Sequence, residues 1–120
     1  MLQTYADARE VRRALESLDF LAVADLFMTP TAALADVVLP VTSYLEMDAV
    51  HRSSNAPVVS VVQKVVDCGE AWSDLRICNR LAATMGFGDR FWACEEEALD
   101  YLLAPAGLTL LAARLTGMAV

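Results

Sequence analysis

The chain has 120 residues, the size of one ordinary domain, and 57% of them are hydrophobic. No uninterrupted apolar stretch approaches the roughly 18 residues of a membrane helix, and the polar first residues do not suit a signal peptide, so we expect no direct membrane insertion. A net charge of −7 with scattered Lys and Arg excludes nucleic acid as a partner, and three cysteines do not suit a disulfide framework.

The first part of the chain alternates between helix and strand signals. A capping-box pattern that ends at Asp7 predicts a helix over about 5–17. An apolar run over 20–24 then predicts a strand buried on both faces, residues 30–35 a short helical turn, and 37–39 a second strand. This order of elements is typical of an α/β layer architecture.

The second part begins with mixed signals and ends in helices. Ser and Asn clusters predict loop over 41–56, and a β-branched run predicts a strand over 58–66. Three helices follow: about 74–85 after a capping Ser73, from Glu95 to near Pro105, and about 109–115. Cys78 falls on the apolar face of the first of these helices, so we expect it in the core.

Motifs of catalysis and metal binding are hard to find in this sequence. His51 stands near Ser53 and Ser54, but no Gly-x-Ser-x-Gly elbow is present, so a surface-loop histidine is favoured over a small hydrolase. The cysteines lack zinc-site spacing, and the glycines form no phosphate loop. We therefore expect no catalytic residue and no metal ligand in this chain.

Asp25 is the unusual feature, because it is a charge at the end of an apolar strand and is followed by Thr29 and Thr31. In open α/β sheets, ligands bind beyond the carboxyl ends of strands, where an acid accepts hydrogen bonds from ribose hydroxyls or a base edge. An Asp in this position equally well caps the following turn. The residues alone leave both interpretations open.

A longer pattern surrounds Asp25. The stretch DAREVRRALESLDFLAVADLFMTPTAALADVVLPVTSYLE, residues 7–46, closely resembles the molybdopterin oxidoreductases of the dimethyl sulfoxide reductase family. The shared elements are an apolar strand that ends in Asp, Phe-x-Thr-x-Thr-Ala, Ala-Asp-Val-Val-Leu-Pro and Glu46. The likeness resumes over 69–92, and its later part looks most like the thiosulfate and polysulfide reductase branch.

This resemblance implies a fold and a cofactor. The fold is α/β, a partial Rossmann-like three-layer domain with a mostly parallel sheet plus C-terminal helices, with residues 1–120 as a single domain. The cofactor is molybdopterin guanine dinucleotide with molybdenum or tungsten. The family's nucleotide contacts carry over to Ala24, Asp25 and Asp74. Further cofactor-binding candidates are Thr29, Thr31 and Met47, the last at a position where the family often has lysine.

The resemblance also implies a longer parent protein. The family's iron–sulfur cysteines and metal-ligating segment lie outside the matched stretch, so we expect a fragment that is not catalytic alone. The expected partners are the remaining domains of the parent subunit and an iron–sulfur electron-transfer subunit. Exposed apolar surface would otherwise favour self-association. The alternative is a stand-alone binding or scaffold protein that kept the fold and lost the cofactor. The sequence does not assign a compartment or a substrate.

Overall fold

The computed structural model describes residues 2, 4–52, 59–67 and 69–116, and the chain divides into two compact units, Met1–Val41 and Thr42–Val120. The α/β class and the C-terminal helices predicted from the sequence are confirmed. That residues 1–120 form a single domain of a cofactor-binding region stays a prediction. No helix in the described ranges has both the length and the apolar character needed to span a bilayer.

Helix α1, Ala8–Glu16, opens the first unit and begins later than the pattern over 5–17 indicated. The reason is the cap. The Asp7 carboxylate accepts hydrogen bonds from the N–H groups of Arg9 at 3.1 Å and Glu10 at 3.0 Å, so the first-turn donors are satisfied there. None of the residues of α1 is buried.

Strands β1, Ala22–Asp25, and β2, Val37–Pro40, form a parallel pair in the first unit. A 3-10 turn, Ala32–Leu34, lies between them in the chain, close to the predicted helical turn. Asp25 pairs with Pro40, so both residues lie at the carboxyl end of the pair. This end is where ligands bind in parallel α/β sheets.

The predicted burial of the first strand on both faces is wrong. Ala22 and Ala24 are exposed, whereas Val23 and Asp25 are half-buried. Successive side chains of a strand point to opposite faces, and only one face of this pair is covered. Phe20, which the sequence placed in the strand, precedes β1 and is 62% exposed.

Strands β3, Ala49–Arg52, and β4, Val59–Val62, form an antiparallel pair in the second unit. The sequence predicted loop over 41–56, which is wrong for β3, because pairing with β4 stabilises a segment whose own signals are mixed. The predicted strand over 58–66 is shorter in the structure. The N–H groups of Val65 and Val66 bond to the Leu45 carbonyl at 2.8 and 3.1 Å instead of continuing the ladder.

Three helices complete the second unit: α2, Asp74–Thr84, α3, Glu95–Leu103, and α4, Leu110–Thr116. Their positions agree with the sequence prediction, and Gly86, with φ of +86°, follows the end of α2. The core lies between α3, α4 and the β3–β4 pair. Its members are Leu99, Leu103, Leu110 and Ala113, with Val50, Val59, Val61 and Leu108 packed against them.

Cys78 was predicted in the core but is exposed. The core is built by α3, α4 and the strands, so α2 contributes only a narrow covered stripe, in which Ala82 is the buried residue. Cys78 precedes Ala82 by one turn on nearly the same side of α2, but it stays exposed. The apolar face read from the sequence is therefore wider than the face that the fold covers.

Candidate functional site

Asp25 lies at the carboxyl end of β1, where the sequence placed it. Its Oδ1 accepts a hydrogen bond from the Leu26 N–H at 2.8 Å, and its Oδ2 accepts one from the Thr29 hydroxyl at 2.8 Å. The Thr29 oxygen in turn accepts from the Ala32 N–H at 3.2 Å. Asp25 therefore caps the turn that follows β1, which was one of the two interpretations left open.

The same hydrogen bonds favour the ionised form of the Asp25 carboxylate. The Thr29 hydroxyl is the main cause that lowers the pKa of Asp25 below its ordinary value of 3.8; burial opposes it, and the Phe27 and Leu26 N–H groups lower the pKa further. Because the folded pKa is below the unfolded one, the resulting stabilisation is complete above the unfolded value and is lost as the pH falls through the folded value. At neutral pH the group is purely an acceptor.

The cap leaves acceptor capacity on Asp25. An ionised carboxylate offers about four lone-pair positions, and the donors named above, Leu26, Phe27 and Thr29, do not use all of them. Asp25 is half-buried, and the neighbouring Phe27 is 75% exposed. An accessible acceptor at a strand end fits a ligand that presents N–H or O–H donors, as a guanine edge or a ribose does.

The two predicted threonines make different hydrogen bonds in the first unit. The Thr29 hydroxyl donates to Asp25 and accepts from Ala32, so it orients the carboxylate. Thr31 is 9% exposed, and its hydroxyl oxygen accepts from the Leu2 N–H at 3.2 Å. Ala24 is exposed and precedes Asp25 in β1. Direct contact of these residues with a cofactor stays a prediction.

Asp74 is the first residue of α2, in the second unit, and it is exposed. Within the described ranges, no hydrogen-bond donor or cation engages its carboxylate. Ser73 precedes it as the N-cap: the Ser73 oxygen accepts from the Arg76 N–H at 3.1 Å, and its hydroxyl donates to Glu95. The start of α2 thus presents an acid whose lone pairs are available to a ligand.

Met47 and Ser73 line one cavity of about 320 Å³ in the second unit. Thr42 lines it as well, and the Thr42 Oγ1 is buried with no hydrogen-bond partner in the described part of the chain. Met47 supplies an apolar side chain to this cavity, and its contact with a cofactor stays a prediction.

The predicted residues fall into two groups. The structure brings Asp25 and Thr29 into direct contact in the first unit, with Ala24 and Thr31 nearby in the chain. The second group, Met47 and Asp74, belongs to the second unit. His51, the candidate base of a hydrolase, is exposed in β3 instead of in a loop, and Ser53 and Ser54 lie outside the described residues.

Sequence reasoning missed the arginines of α2. The Arg76 guanidinium lies 4.1 Å from the centroid of the Trp72 ring, and Arg80 lines a cleft together with both residues. The available signal was the spacing of Arg76 and Arg80, because residues four apart share one helix face. It was overlooked because the Lys and Arg residues are scattered along the chain as a whole.

Replacing Ser73 with alanine is expected to lower the free energy of unfolding by about 1 kcal/mol, because the first turn of α2 loses its cap. The measurement is urea denaturation followed by circular dichroism. The control is Ser43→Ala, since the Ser43 hydroxyl makes no hydrogen bond with the described residues. Equal midpoints for the two variants would show that the cap contributes nothing.

Comparison with known proteins decides the family. A sequence model described as molybdopterin oxidoreductase matches residues 1–84. The chain belongs to the molybdopterin oxidoreductase family. The predicted membership of the dimethyl sulfoxide reductase family is thereby confirmed, and the family implies a molybdopterin cofactor with molybdenum or tungsten. The narrower likeness to thiosulfate and polysulfide reductases stays a prediction.

Relatives of this molybdopterin oxidoreductase chain are much longer proteins. It is 44% identical to the F420-dependent formate dehydrogenase subunit alpha of Methanocaldococcus jannaschii over 85 residues, which cover 71% of this chain and 13% of that protein. It is 36% identical to formate dehydrogenase H of Escherichia coli over 86 residues, 72% of this chain and 12% of that protein. It is 34% identical to acetylene hydratase of Syntrophotalea acetylenica over 110 residues, 89% of this chain and 15% of that protein.

Proposed function

We propose that this chain binds the guanosine end of molybdopterin guanine dinucleotide within a longer molybdenum or tungsten oxidoreductase, and that it is not catalytic alone. When the cofactor is bound, its metal centre supplies the redox chemistry, and the residues of this chain bind and orient the nucleotide. The family match supports the cofactor class. The matched stretch covers only 13% of the formate dehydrogenase subunit of M. jannaschii, which supports a longer parent.

The ionised Asp25 at the end of β1 is the observation on which the proposal depends. Guanine presents two neighbouring N–H donors, N1–H and the 2-amino group, and a carboxylate accepts both in charge-assisted hydrogen bonds. The Thr29 hydroxyl fixes the orientation of the carboxylate before a ligand arrives. Asp74, with its lone pairs available, is proposed as a further nucleotide contact.

Exposed apolar side chains support the proposed partners. Phe27 in the first unit is 75% exposed, and Leu115 in the second is 79% exposed. Large side chains of this kind usually lie against another protein surface when they cluster. We propose the remaining domains of the parent subunit as the cover, and an iron–sulfur electron-transfer subunit as a further partner, with iron–sulfur clusters outside this chain.

Guanine nucleotides are expected to bind the isolated chain only in the millimolar range, because the rest of the cofactor pocket and its pre-organisation are missing. Titration of GDP into isotope-labelled protein should shift the amide resonances of Ala24, Asp25 and Asp74. ADP is the control ligand, since adenine lacks the N1–H and 2-amino donors and should shift them less. Tight, saturable binding of GDP at other residues would contradict the assignment.

A further inference from the structure

A cleft of about 640 Å³ runs along α2 in the second unit, next to the cavity that Met47 lines. One wall is a single face of α2, and the other is formed by residues between 88 and 95. The Phe87 N–H bonds to the Ala82 carbonyl at 3.1 Å, which holds this segment against the helix. A cleft of this volume is within the usual size of small-molecule sites, about 300–1,000 Å³.

Two arginines line the α2 wall of this cleft, Arg76 and Arg80. Neither pairs with a carboxylate in the described part of the chain, although the chain has 16 acidic residues against nine Lys and Arg. Among the described residues that line the cleft, Glu95 is the one acid against two arginines, and its carboxylate accepts from the Ser73 hydroxyl. The cleft is therefore locally cationic on an acidic protein, which favours an anionic ligand.

The stacking of Arg76 on Trp72 makes it a prepared anion-binding group. The guanidinium lies 4.1 Å from the ring centroid. A stacked guanidinium loses side-chain freedom in advance, and its N–H donors point outward around its edge, where they match the two oxygens of a carboxylate or phosphate. Arg80 follows four residues later, so both side chains lie on the same face of the helix.

Flat apolar surfaces complete the cleft. Trp92 lines the opposite wall. The centroid of its ring lies 5.8 Å from that of the Tyr101 ring, and this contact restrains the Trp92 side chain. Ala83 and Ala93 add small apolar side chains that leave room between the walls. Aromatic walls of this kind favour a planar ring, because ring contacts stabilise more than their buried area alone.

We propose that this cleft is a second ligand site, which binds a small aromatic ring that carries a carboxylate or phosphate group. The oxyanion contacts Arg76 and Arg80, and the ring lies against Trp92. Neither Asp25 nor Asp74 lines the cleft, so the residues assigned to the two ligands differ. It does not depend on the proposed function.

Both tryptophans of the chain line this cleft, so intrinsic fluorescence reports directly on its occupancy. Phenyl phosphate and benzoate are the probes, and whichever binds more tightly identifies the preferred oxyanion. Phenol lacks the anion and inorganic phosphate lacks the ring, so each should bind about tenfold more weakly or worse. The proposal is overturned if neither ring-bearing anion changes the fluorescence saturably, or if phenol binds as tightly as both of them.

Arg76→Gln and Arg80→Gln should each weaken binding of the better probe about tenfold, because each removes a charge-assisted hydrogen bond. Arg9→Gln is the matched control, since Arg9 does not line the cleft and its replacement should not affect affinity. Unchanged affinity in Arg80→Gln, the variant farther from the Ser73 cap, overturns the proposal even if Arg76→Gln misfolds.

Discussion

Under the proposed function, replacing Asp25 with asparagine is expected to weaken binding of the guanine dinucleotide by the complete oxidoreductase about a hundredfold. Hydrogen bonds to a charged group contribute about 1.5–3 kcal/mol each, and about 1.4 kcal/mol is a factor of ten. Asparagine keeps the shape and one acceptor oxygen, which still serves the Leu26 N–H. Its amide N–H₂ group replaces the second oxygen. This group can donate to the Thr29 oxygen, so the turn keeps a hydrogen bond there. It cannot accept from guanine, so the contact with the ligand is lost.

The protein should therefore fold normally but be purified with little cofactor. The measurement is the molybdenum or tungsten content, together with the guanine nucleotide released on denaturation, per mole of protein. Asp19→Asn is the matched control, because Asp19 lies in the loop before β1 and makes no hydrogen bond within the described ranges. Full cofactor content in Asp25→Asn would show that Asp25 stabilises the turn after β1 and does not bind the cofactor.

Replacing Leu103 with alanine is expected to lower the free energy of unfolding by about 3 kcal/mol. Leu103 is 1% exposed in α3 and belongs to the cluster with Leu99 and Leu110. The shorter side chain loses its contacts and leaves a cavity that the helices and strands around it can only partly close. The loss of stability is therefore greater than the free energy of transferring the same methyl groups to water.

The neighbouring Leu102→Ala is the control for this experiment, since Leu102 is 56% exposed in the same helix. Its replacement should change the free energy of unfolding by no more than about 0.5 kcal/mol. Urea denaturation followed by far-UV circular dichroism measures both variants. Equal destabilisation by the two substitutions would mean that α3 is not packed on its Leu103 side.

Elements that depend on neighbouring residues were predictable. Ser73 starts α2 because its hydroxyl reaches the Arg76 N–H within one turn. Glu95–Glu97 occupy the first turn of α3, where carboxylates meet the positive end of the helix dipole. The start of α1 was predicted too early, although the Asp7 cap that fixes it is equally local. Such choices are made over a few residues, so a single sequence contains them.

Elements that depend on distant partners were not predictable. β3 exists because Val50 pairs with Val61 across a stretch of chain, and its own residues give no clear strand signal. Cys78 fits an apolar helix pattern, but the core formed elsewhere, around Leu103 and Leu110. Whether a side chain is buried depends on which other elements pack against it. The spacing of apolar residues along a helix does not give the width of the face that these elements cover.

The sequence by itself determined the family, the alternation of helices and strands, and the acid at the end of β1, because a long ordered motif and local periodicity are properties of the chain alone. Only the tertiary structure decided that Thr29 orients the Asp25 carboxylate, that the Thr42 hydroxyl is buried, and that Arg76 stacks on Trp72. Those facts depend on side-chain directions and on the path of the backbone in space, which the order of residues does not specify.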